Sequence, residues 1–573
     1  MEYRDRFNEW LEKADEATKA ELESIKGNES EIEDRFYKSL EFGTAGLRGI
    51  MGAGTNRMNK YVLMQATRAL AEVVLEAGGK DKGVAIAHDC RINSRVYAEI
   101  CAAIFYSKGI KTYIFEDLRP TPELSYAIRK LGTISGVNVT ASHNPQEYNG
   151  YKVYWKEGSQ ILDDIADKIL AKIDETELFD PAGIPSYDEG VDSGLIIILG
   201  EDMDRMYLEE VKGLALNDVG IDKSVSAVYT PLNGTGAVLV PRILKERGFE
   251  HIYLVKEQME PDGHFPTTPY PNPEDFSTFE IALKYARKHD SELAVATDPD
   301  ADRIAIMVRE GNDNYIPMNG NQTGALLLQY MLEQRDIKGM SSDKDAMVTT
   351  IVTGDLGKEI ARKFGLKVYE TLTGFKHVCG KANEFDITGE AKYVFGYEES
   401  IGYCPETFVR DKDAVSTAML LFEMAAYYKA RGKTLLDVLY EIYEEFGHYR
   451  ESQFSIAYKG VDGAELKEKV IKGWRDDYPV SVGGEKLVEV TDYLTSELII
   501  LETGETGAVD IPVSDVLKFK FDKGTWYAVR PSGTEPKLKV YIYTVKVTEA
   551  KALKTLEMFE SELRDKIIQF ELA

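Results

Sequence analysis

The chain has 573 residues, enough for about three to five domains. Its 69 Lys+Arg stand against 97 Asp+Glu, a formal net charge of −28, which repels nucleic acid and anionic lipid and leaves neither as an expected partner. The same field repels phosphorylated small molecules, so a site for one has to gather basic residues locally. No apolar run approaches the ~18 residues of a membrane span, and the charged start Met1-Glu-Tyr-Arg-Asp-Arg-Phe has no signal-peptide core. Cys90, Cys101, Cys379 and Cys404 form no close pair, so a reduced, cytoplasmic setting is expected.

An opening helix is expected over about Tyr3 to Ile25, before the turn-rich Leu40-Glu-Phe-Gly-Thr-Ala-Gly-Leu-Arg-Gly49, which reads as a loop presenting Arg48. A helix follows near Tyr61 to Glu76, then the strand Gly83–His88, a helix, the strand Lys111–Phe115 and the Pro-rich Arg119-Pro-Thr-Pro122. The strand Ile134–Thr140 runs into Val139-Thr-Ala-Ser-His-Asn-Pro145. Later segments repeat this βα grammar: Ala227–Thr230, Glu292–Thr297, Met347–Val352, Lys367–Glu370 and a long helix pair after Asp413. From about His448 the texture shifts to short strands and turns, closing on Thr525–Val529, Lys537–Tyr543 and a helix from Thr548 to Glu571. The fold class expected is α/β: three related α/β domains with mixed sheets (1–205, 206–318, 319–447) and a C-terminal α+β domain (448–573) around a central cleft.

Four stretches carry chemistry. Ser142 is held in a polar turn at the carboxyl end of a strand, where open α/β sheets bind ligands; Pro145 keeps Asn144 out of helical geometry. Asp298, Asp300 and Asp302 alternate in Thr297-Asp-Pro-Asp-Ala-Asp-Arg303, between two strands. Three carboxylates converging in a turn call for a hard cation, Mg²⁺ or Ca²⁺. An EF-hand is excluded, because its required Gly and Glu positions hold Arg303 and Arg309. Arg530-Pro-Ser-Gly-Thr-Glu-Pro-Lys537 offers a guanidinium fork (Arg530), the hydroxyls of Ser532 and Thr534 and the open backbone of Gly533, the parts of a phosphate cradle; alone it is equally an ordinary turn. In Phe395-Gly-Tyr-Glu-Glu-Ser-Ile-Gly402, Glu398 and Ser400 sit two apart, suited to neighbouring sugar hydroxyls or to a plain surface loop. Thr373-Gly-Phe-Lys376 reads as a weaker contact or a helix cap. Lys152, Lys376 and Lys412 lie near these turns and are candidates for proton transfer or phosphoryl stabilisation. Gly432-Lys-Thr434 is no P-loop, since Tyr427 stands where Gly is required; Leu239 breaks a dinucleotide fingerprint at Gly234-Thr-Gly236; Thr140 and Asn144 flank Ser142 where a nucleophile elbow has glycines.

With these four motifs in order, the chain resembles the α-D-phosphohexomutase family, the phosphoglucomutase and phosphomannomutase group, over essentially its whole length. The resemblance implies four domains around a cleft and an isomerase that moves a phosphoryl group on a sugar through phospho-Ser142. It implies Mg²⁺ held by Ser142, Asp298, Asp300 and Asp302, and glucose 1,6-bisphosphate as activator and intermediate. Glu398 and Ser400, joined by Thr373 and Gly374, are then sugar contacts; Arg530, Ser532, Gly533 and Thr534 bind the phosphate that is not reacting; Lys152, Lys412, Arg48 and Arg303 are active-site cations. A mobile last domain would let the intermediate turn over in place. Tyr397 after Gly396, and Val-Asn-Val before the serine loop, resemble a subgroup holding glucose-specific bacterial enzymes and phosphopentomutases. Glucose 1-phosphate to glucose 6-phosphate is the expected reaction, with mannose or pentose phosphates as alternatives. The rival classes are a metal-dependent sugar phosphatase and a non-catalytic sensor. Small-molecule sugar phosphates are the expected partners, and a monomer or weak dimer the expected state.

Overall fold

The computed structural model describes residues 2–43, 46–180, 183–458, 460–531 and 537–572. Four sheets organise them. The first runs, edge to edge, Leu47–Ile50, Tyr148–Trp155, Ser135–Val139, Val84–His88, Thr112–Phe115 and Ile196–Leu199, parallel in its last four strands and antiparallel in its first three. The second is Asn314–Met318, Ile304–Glu310, Leu293–Thr297, Ala227–Thr230 and Ile252–Leu254, and the third Lys367–Thr371, Asp345–Thr350, Lys392–Glu398 and Gly402–Cys404; both are also mixed. The fourth is antiparallel throughout, with His448–Ala457, Lys537–Lys546 and Thr525–Pro531 at one side. This is the expected architecture of three mixed α/β units and a C-terminal unit built on an antiparallel sheet.

Alternation along the strands explains the layering. Val84 and Ile86 enter a core with the helices Lys60–Glu76 and Ser94–Ser107, while Ala85 and Ala87 enter another with the helix Thr121–Leu131. Helices therefore cover both faces of the first sheet, which is why the central strands Val84–His88 and Ser135–Val139 are buried along their whole length. The core around Ala85 continues through the second sheet into the helices Gly320–Ile337, Ala414–Lys429 and Leu435–Phe446, tying the first three units together. The fourth sheet has its own core, built on Trp474, Phe519, Tyr527 and Phe559. It meets the third unit at a separate apolar seam of Ile351, Val352, Trp526, Tyr541 and Tyr543. Polar contacts close that seam: Trp526 Nε1 donates to Asp355 Oδ2 at 2.7 Å, Lys518 Nζ to the Ile351 carbonyl at 2.8 Å, and Asn321 Nδ2 to Glu451 Oε1 at 2.9 Å.

One topological feature recurs four times. Each sheet contains a strand followed directly by an antiparallel neighbour, and a motif lies at or beside that junction: the serine between 139 and 148, the aspartates between 297 and 304, the glutamate and serine from 398 to 402, and Arg530 near the end of the strand Thr525–Pro531, which pairs with Lys537–Lys546.

Two local expectations are corrected. The opening segment is not one helix but Tyr3–Lys13 and Glu16–Ile25, because Asp15 caps the second, accepting from Ala17 N at 3.0 Å and Thr18 N at 3.1 Å. Arg48 stands not on a loop but on the edge strand Leu47–Ile50, where pairing with Asn149 and Gly150 straightens the glycine-rich chain.

Candidate active site

Ser142 sits in the left-handed backbone region, with φ +50°, a conformation costing about 1–2 kcal/mol for a residue with a Cβ. The surroundings enforce it. Asp89, at the end of the strand Val84–His88, accepts from Thr140 Oγ1 at 2.6 Å, and that oxygen accepts the Ser142 N–H at 2.8 Å. Arg91 moulds the loop from beneath: its guanidinium donates to the carbonyls of Ser142 (2.6 Å), Pro145 (2.8 Å), Tyr148 (3.0 Å) and Asn144, and its Nε lies 3.3 Å from Asp89 Oδ2. The same loop receives Arg48, whose Nη1 reaches Asn144 Oδ1 at 3.5 Å. His143 Nδ1 is 3.2 Å from Ser142 Oγ, and burial, with Arg303 and Arg48 nearby, holds its imidazole well below the usual histidine range, so it is neutral.

The serine loop of the first unit meets the aspartate loop of the second. Ser142 Oγ donates to Asp298 Oδ2 at 2.8 Å. Asp298, Asp300 and Asp302 each offer a ligand oxygen within 4.8 Å of the others, and all three are buried. Burial, then repulsion from Asp300 and Asp302, pushes the Asp298 carboxyl well above the usual range. Burial would raise Asp300 as well, but Lys152 Nζ at 2.7 Å, with Thr121 Oγ1 at 2.8 Å, holds it below that range. Lys412, from the third unit, approaches Asp302 Oδ2 at 3.1 Å and Asp411 Oδ1 at 3.0 Å. Its stem lies on Gly402, where a Cβ would come within 2.2 Å of Lys412 Cδ. Burial opposes the charge on both lysines, but the aspartates win, and Lys152 and Lys412 are ammonium ions with raised pKa values.

Three carboxylates thus face two ammonium groups, and Asp300 Oδ1 and Asp302 Oδ1 are buried without a hydrogen-bond partner. An all-oxygen set with unmet acceptors and surplus negative charge fits a hard divalent cation. Arg303 leads away from the cluster, 3.8 Å from Asp302 Oδ1 and 3.8 Å from Glu274 Oε2.

The third unit presents its sugar-loop candidates beside this cluster. Glu398 Oε1 accepts the Gly374 N–H at 2.8 Å; Gly374 has φ +109°, a conformation that favours glycine. Glu398 is buried, while Thr373 and Ser400 are half-buried on the two loops that contact joins. Lys376, in the first turn of the helix Phe375–Thr388, faces Asp163 of the first unit at 3.6 Å and not the aspartate cluster. On the fourth sheet, Arg530 is directly opposite Lys539 in antiparallel register, which puts both side chains on one face. Inner rungs of that face, Trp526 with Tyr543 and Ala528 with Tyr541, enter the seam, so this rung is the one that emerges from it. Ser532, Gly533 and Thr534 lie outside the described residues.

The local cations that the net charge demands are therefore present: Lys152, Lys412, Arg48, Arg303, Arg530 and Lys539. Lys539, Arg91, Thr121 and Asp411 were not singled out by motif. For Lys539 the signal was available, two residues beyond the Arg530 stretch on the same strand face.

The comparisons agree with this geometry. The sequence matches the families "Phosphoglucomutase/phosphomannomutase, alpha/beta/alpha domain I" at 39–179, "domain II" at 205–311, "domain III" at 319–446 and the corresponding "C-terminal domain" at 483–560. It is 35% identical over 537 residues to the phosphoglucomutase of Staphylococcus aureus (strain MRSA252), covering 93% of this chain and 94% of that one. Among solved structures, the Paramecium phosphoglucomutase pp63/parafusin in its open form superposes with a TM-score of 0.68 at 18% identity, over 93% of this chain and 96% of that one. A Burkholderia thailandensis phosphoglucomutase/phosphomannomutase family protein gives 0.64 at 19%, over 92% and 97%.

Proposed function

Since the chain belongs to the phosphoglucomutase/phosphomannomutase family and is thereby a phosphohexomutase of the isomerase class, we propose that it interconverts glucose 1-phosphate and glucose 6-phosphate through phospho-Ser142 and a bound glucose 1,6-bisphosphate. The observation that carries this reading is the contact of Ser142 Oγ with Asp298 at 2.8 Å, at the meeting point of the serine and aspartate loops.

The substrate phosphate docks on Arg530 and the residues Ser532, Gly533 and Thr534 of its motif, and Glu398 and Ser400, with Thr373, Gly374 and Lys376 at the rim, hold the sugar hydroxyls. The phosphoryl group leaves Ser142 Oγ as its new P–O bond forms to the distant sugar hydroxyl. One proton must arrive at Ser142 Oγ and one must leave the sugar hydroxyl. Lys152 and Lys412 carry them: an ammonium that donates to Ser142 Oγ is then free to accept the hydroxyl proton, with no net change. Arg48 and Arg303 offset charge on the moving group, and positioning with electrostatics is most of what a protein contributes to this chemistry. Asp298, Asp300 and Asp302, with Ser142, would hold a Mg²⁺ that stabilises negative charge on the phosphoryl oxygens. The bisphosphate then turns over and returns its other phosphoryl group to Ser142.

We assign the four units to 1–205, 206–318, 319–447 and 448–573, and the protein, with its four free cysteines, to the cytoplasm. The test is Ser142→Ala, assayed with glucose, mannose and ribose 1-phosphates side by side. Turnover should fall by at least about 10³-fold while the melting temperature stays within a few degrees. Near-wild-type turnover refutes the serine relay. Phosphate release without isomer identifies a phosphatase, and a preference for mannose or ribose moves the sugar assignment.

A further inference from the structure

The segment from Cys404 to Asp413 bridges the third unit to the first and ends on the catalytic lysine of the proposed reaction. It is gripped from outside: Arg410 N donates to Ser125 Oγ at 2.8 Å, and the side-chain Oδ2 of Asp411 accepts from Tyr154 OH at 2.8 Å and Gln160 Nε2 at 3.0 Å. Asp413 N donates to the Tyr403 carbonyl at 2.8 Å. Within the segment two carboxyl groups are buried together. Asp413 is fully buried and Glu406 is 2% exposed.

Their donors are unequal. Asp413 Oδ1 caps the helix Ala414–Lys429, accepting from Val415 N at 2.8 Å and Ser416 N at 3.0 Å, and Oδ2 accepts from Tyr207 OH at 2.6 Å. Glu406 Oε2 accepts from Ser416 Oγ at 3.0 Å, and its Oε1 has no donor. The two carboxyl groups are buried side by side on Ser416, whose N–H goes to Asp413 Oδ1 and whose hydroxyl goes to Glu406 Oε2, each at 3.0 Å. Two carboxylates are acceptors only, so a hydrogen bond between them requires a proton on one. Asp413, with three donors and a helix N-terminus, is the one stabilised as an anion; Glu406 is the one left to carry the proton.

Arg410 is the cation nearest Glu406, and its pull is outweighed by burial and by Asp413 because its guanidinium is engaged elsewhere. Arg410 spends its guanidinium on Asn383, Asp386 and the Thr407 and Val409 carbonyls. Cys404 Sγ donates weakly to the Glu406 carbonyl at 3.5 Å, Tyr393 OH donates to the Cys404 carbonyl, and Tyr207 is engaged by Asp413.

We infer that Glu406 is a positioning residue for Lys412: as a neutral acid it donates to Asp413, and this bond fixes the Asp411-Lys412-Asp413 turn that aims the ammonium at Asp302. Burial, then Asp413, pushes the Glu406 carboxyl well above the usual range, in keeping with that role; burial raises Asp413 too, against the pull of its donors. Ionised, Glu406 would repel the capping carboxylate next in the chain to Lys412. The inference rests on the reading of Lys412 as an active-site lysine.

The test compares Glu406→Gln, which keeps a donor of similar shape, with Glu406→Ala. Glu406→Gln should keep kcat within about threefold, and Glu406→Ala should lower it about 10²-fold with KM for glucose 1-phosphate little changed, the cost of a misplaced reacting group. Melting supplies a second readout. Folded wild type holds a proton that the unfolded chain releases above the ordinary carboxyl range, so its stability falls as pH rises towards the folded pKa. Glu406→Gln lacks that slope, and its melting temperature should gain on wild type from pH 5 to pH 8. A Glu406→Gln variant as impaired as Glu406→Ala, an unimpaired Glu406→Ala, or a melting difference flat with pH overturns the inference. Should no sugar phosphate be turned over at all, the proposed function fails alone, and the pH dependence of melting still decides the protonation of Glu406.

Discussion

Replacing Arg91 by lysine keeps the positive charge beside Asp89 and removes the planar fork that holds the serine loop. The guanidinium donates to four carbonyls, those of Ser142, Asn144, Pro145 and Tyr148. An ammonium on a shorter stem is a point donor and serves about two of the four. Each hydrogen bond from a charged donor is worth about 1.5–3 kcal/mol, so losing two costs the loop at least about 3 kcal/mol. That exceeds the ~1–2 kcal/mol of strain held at Ser142 by its positive φ, and the loop relaxes out of the reactive shape. At 1.36 kcal/mol per decade, kcat for Arg91→Lys should fall about a hundredfold. KM should stay within about threefold, because on the proposed reading the sugar and its distal phosphate are held by other units. A steady-state mutase assay, with circular dichroism to show that the fold survives, measures both. A kcat within threefold of wild type would refute the reasoning, since the strained serine would then be held by something other than this fork.

Further outcomes follow from the charges. Asp298→Asn should abolish turnover, yet in chelator-treated protein it should melt above wild type, because it relieves repulsion with Asp300 and Asp302; each kcal/mol relieved is worth about 2–4 °C. A lower melting temperature would mean that the three carboxylates do not repel. Lys518, buried in the seam between the third and fourth units, has its ammonium pushed down to about 8, by burial and then by Lys358. The unfolded chain therefore binds more protons than the folded one between about pH 8 and the ordinary lysine range, so this group makes stability rise with pH in that window. Lys518→Met should remove that rise, read as melting temperature against pH. Adding Mg²⁺ to chelator-treated enzyme should restore turnover and raise the melting temperature in a concentration-dependent way; metal-independent turnover would remove the cation from the scheme.

How far the fold and the site were legible depends on where each group's partners lie. The serine, the aspartates, Glu398 and Arg530 stand in contiguous stretches because each lies at or beside one junction of strands, so residue type and spacing display the chemistry together. The units were legible for a similar reason: apolar strands and amphipathic helices alternate, and each pairs mostly with near neighbours. Arg91 was not, because its partners are backbone carbonyls some fifty residues onward, and carbonyls have no sequence signature. Thr121 and Asp411 act across unit boundaries, on Asp300 and on Tyr154, so nothing local marks them. At the start of the chain, helical periodicity across Ala14 and Asp15 concealed a cap that only its two N–H donors reveal.

The distribution of the four motifs over four sheets has a consequence for biosynthesis. At about 5–20 residues per second, Ser142 leaves the ribosome roughly 20–80 s before Arg530. During that interval the chain has made the serine stretch without the aspartates, then with the aspartates but without Lys412, then with both but without Arg530. On the proposed reading, the part of the cleft that docks the substrate phosphate is the last to be made, when the pair of strands Thr525–Pro531 and Lys537–Lys546 closes.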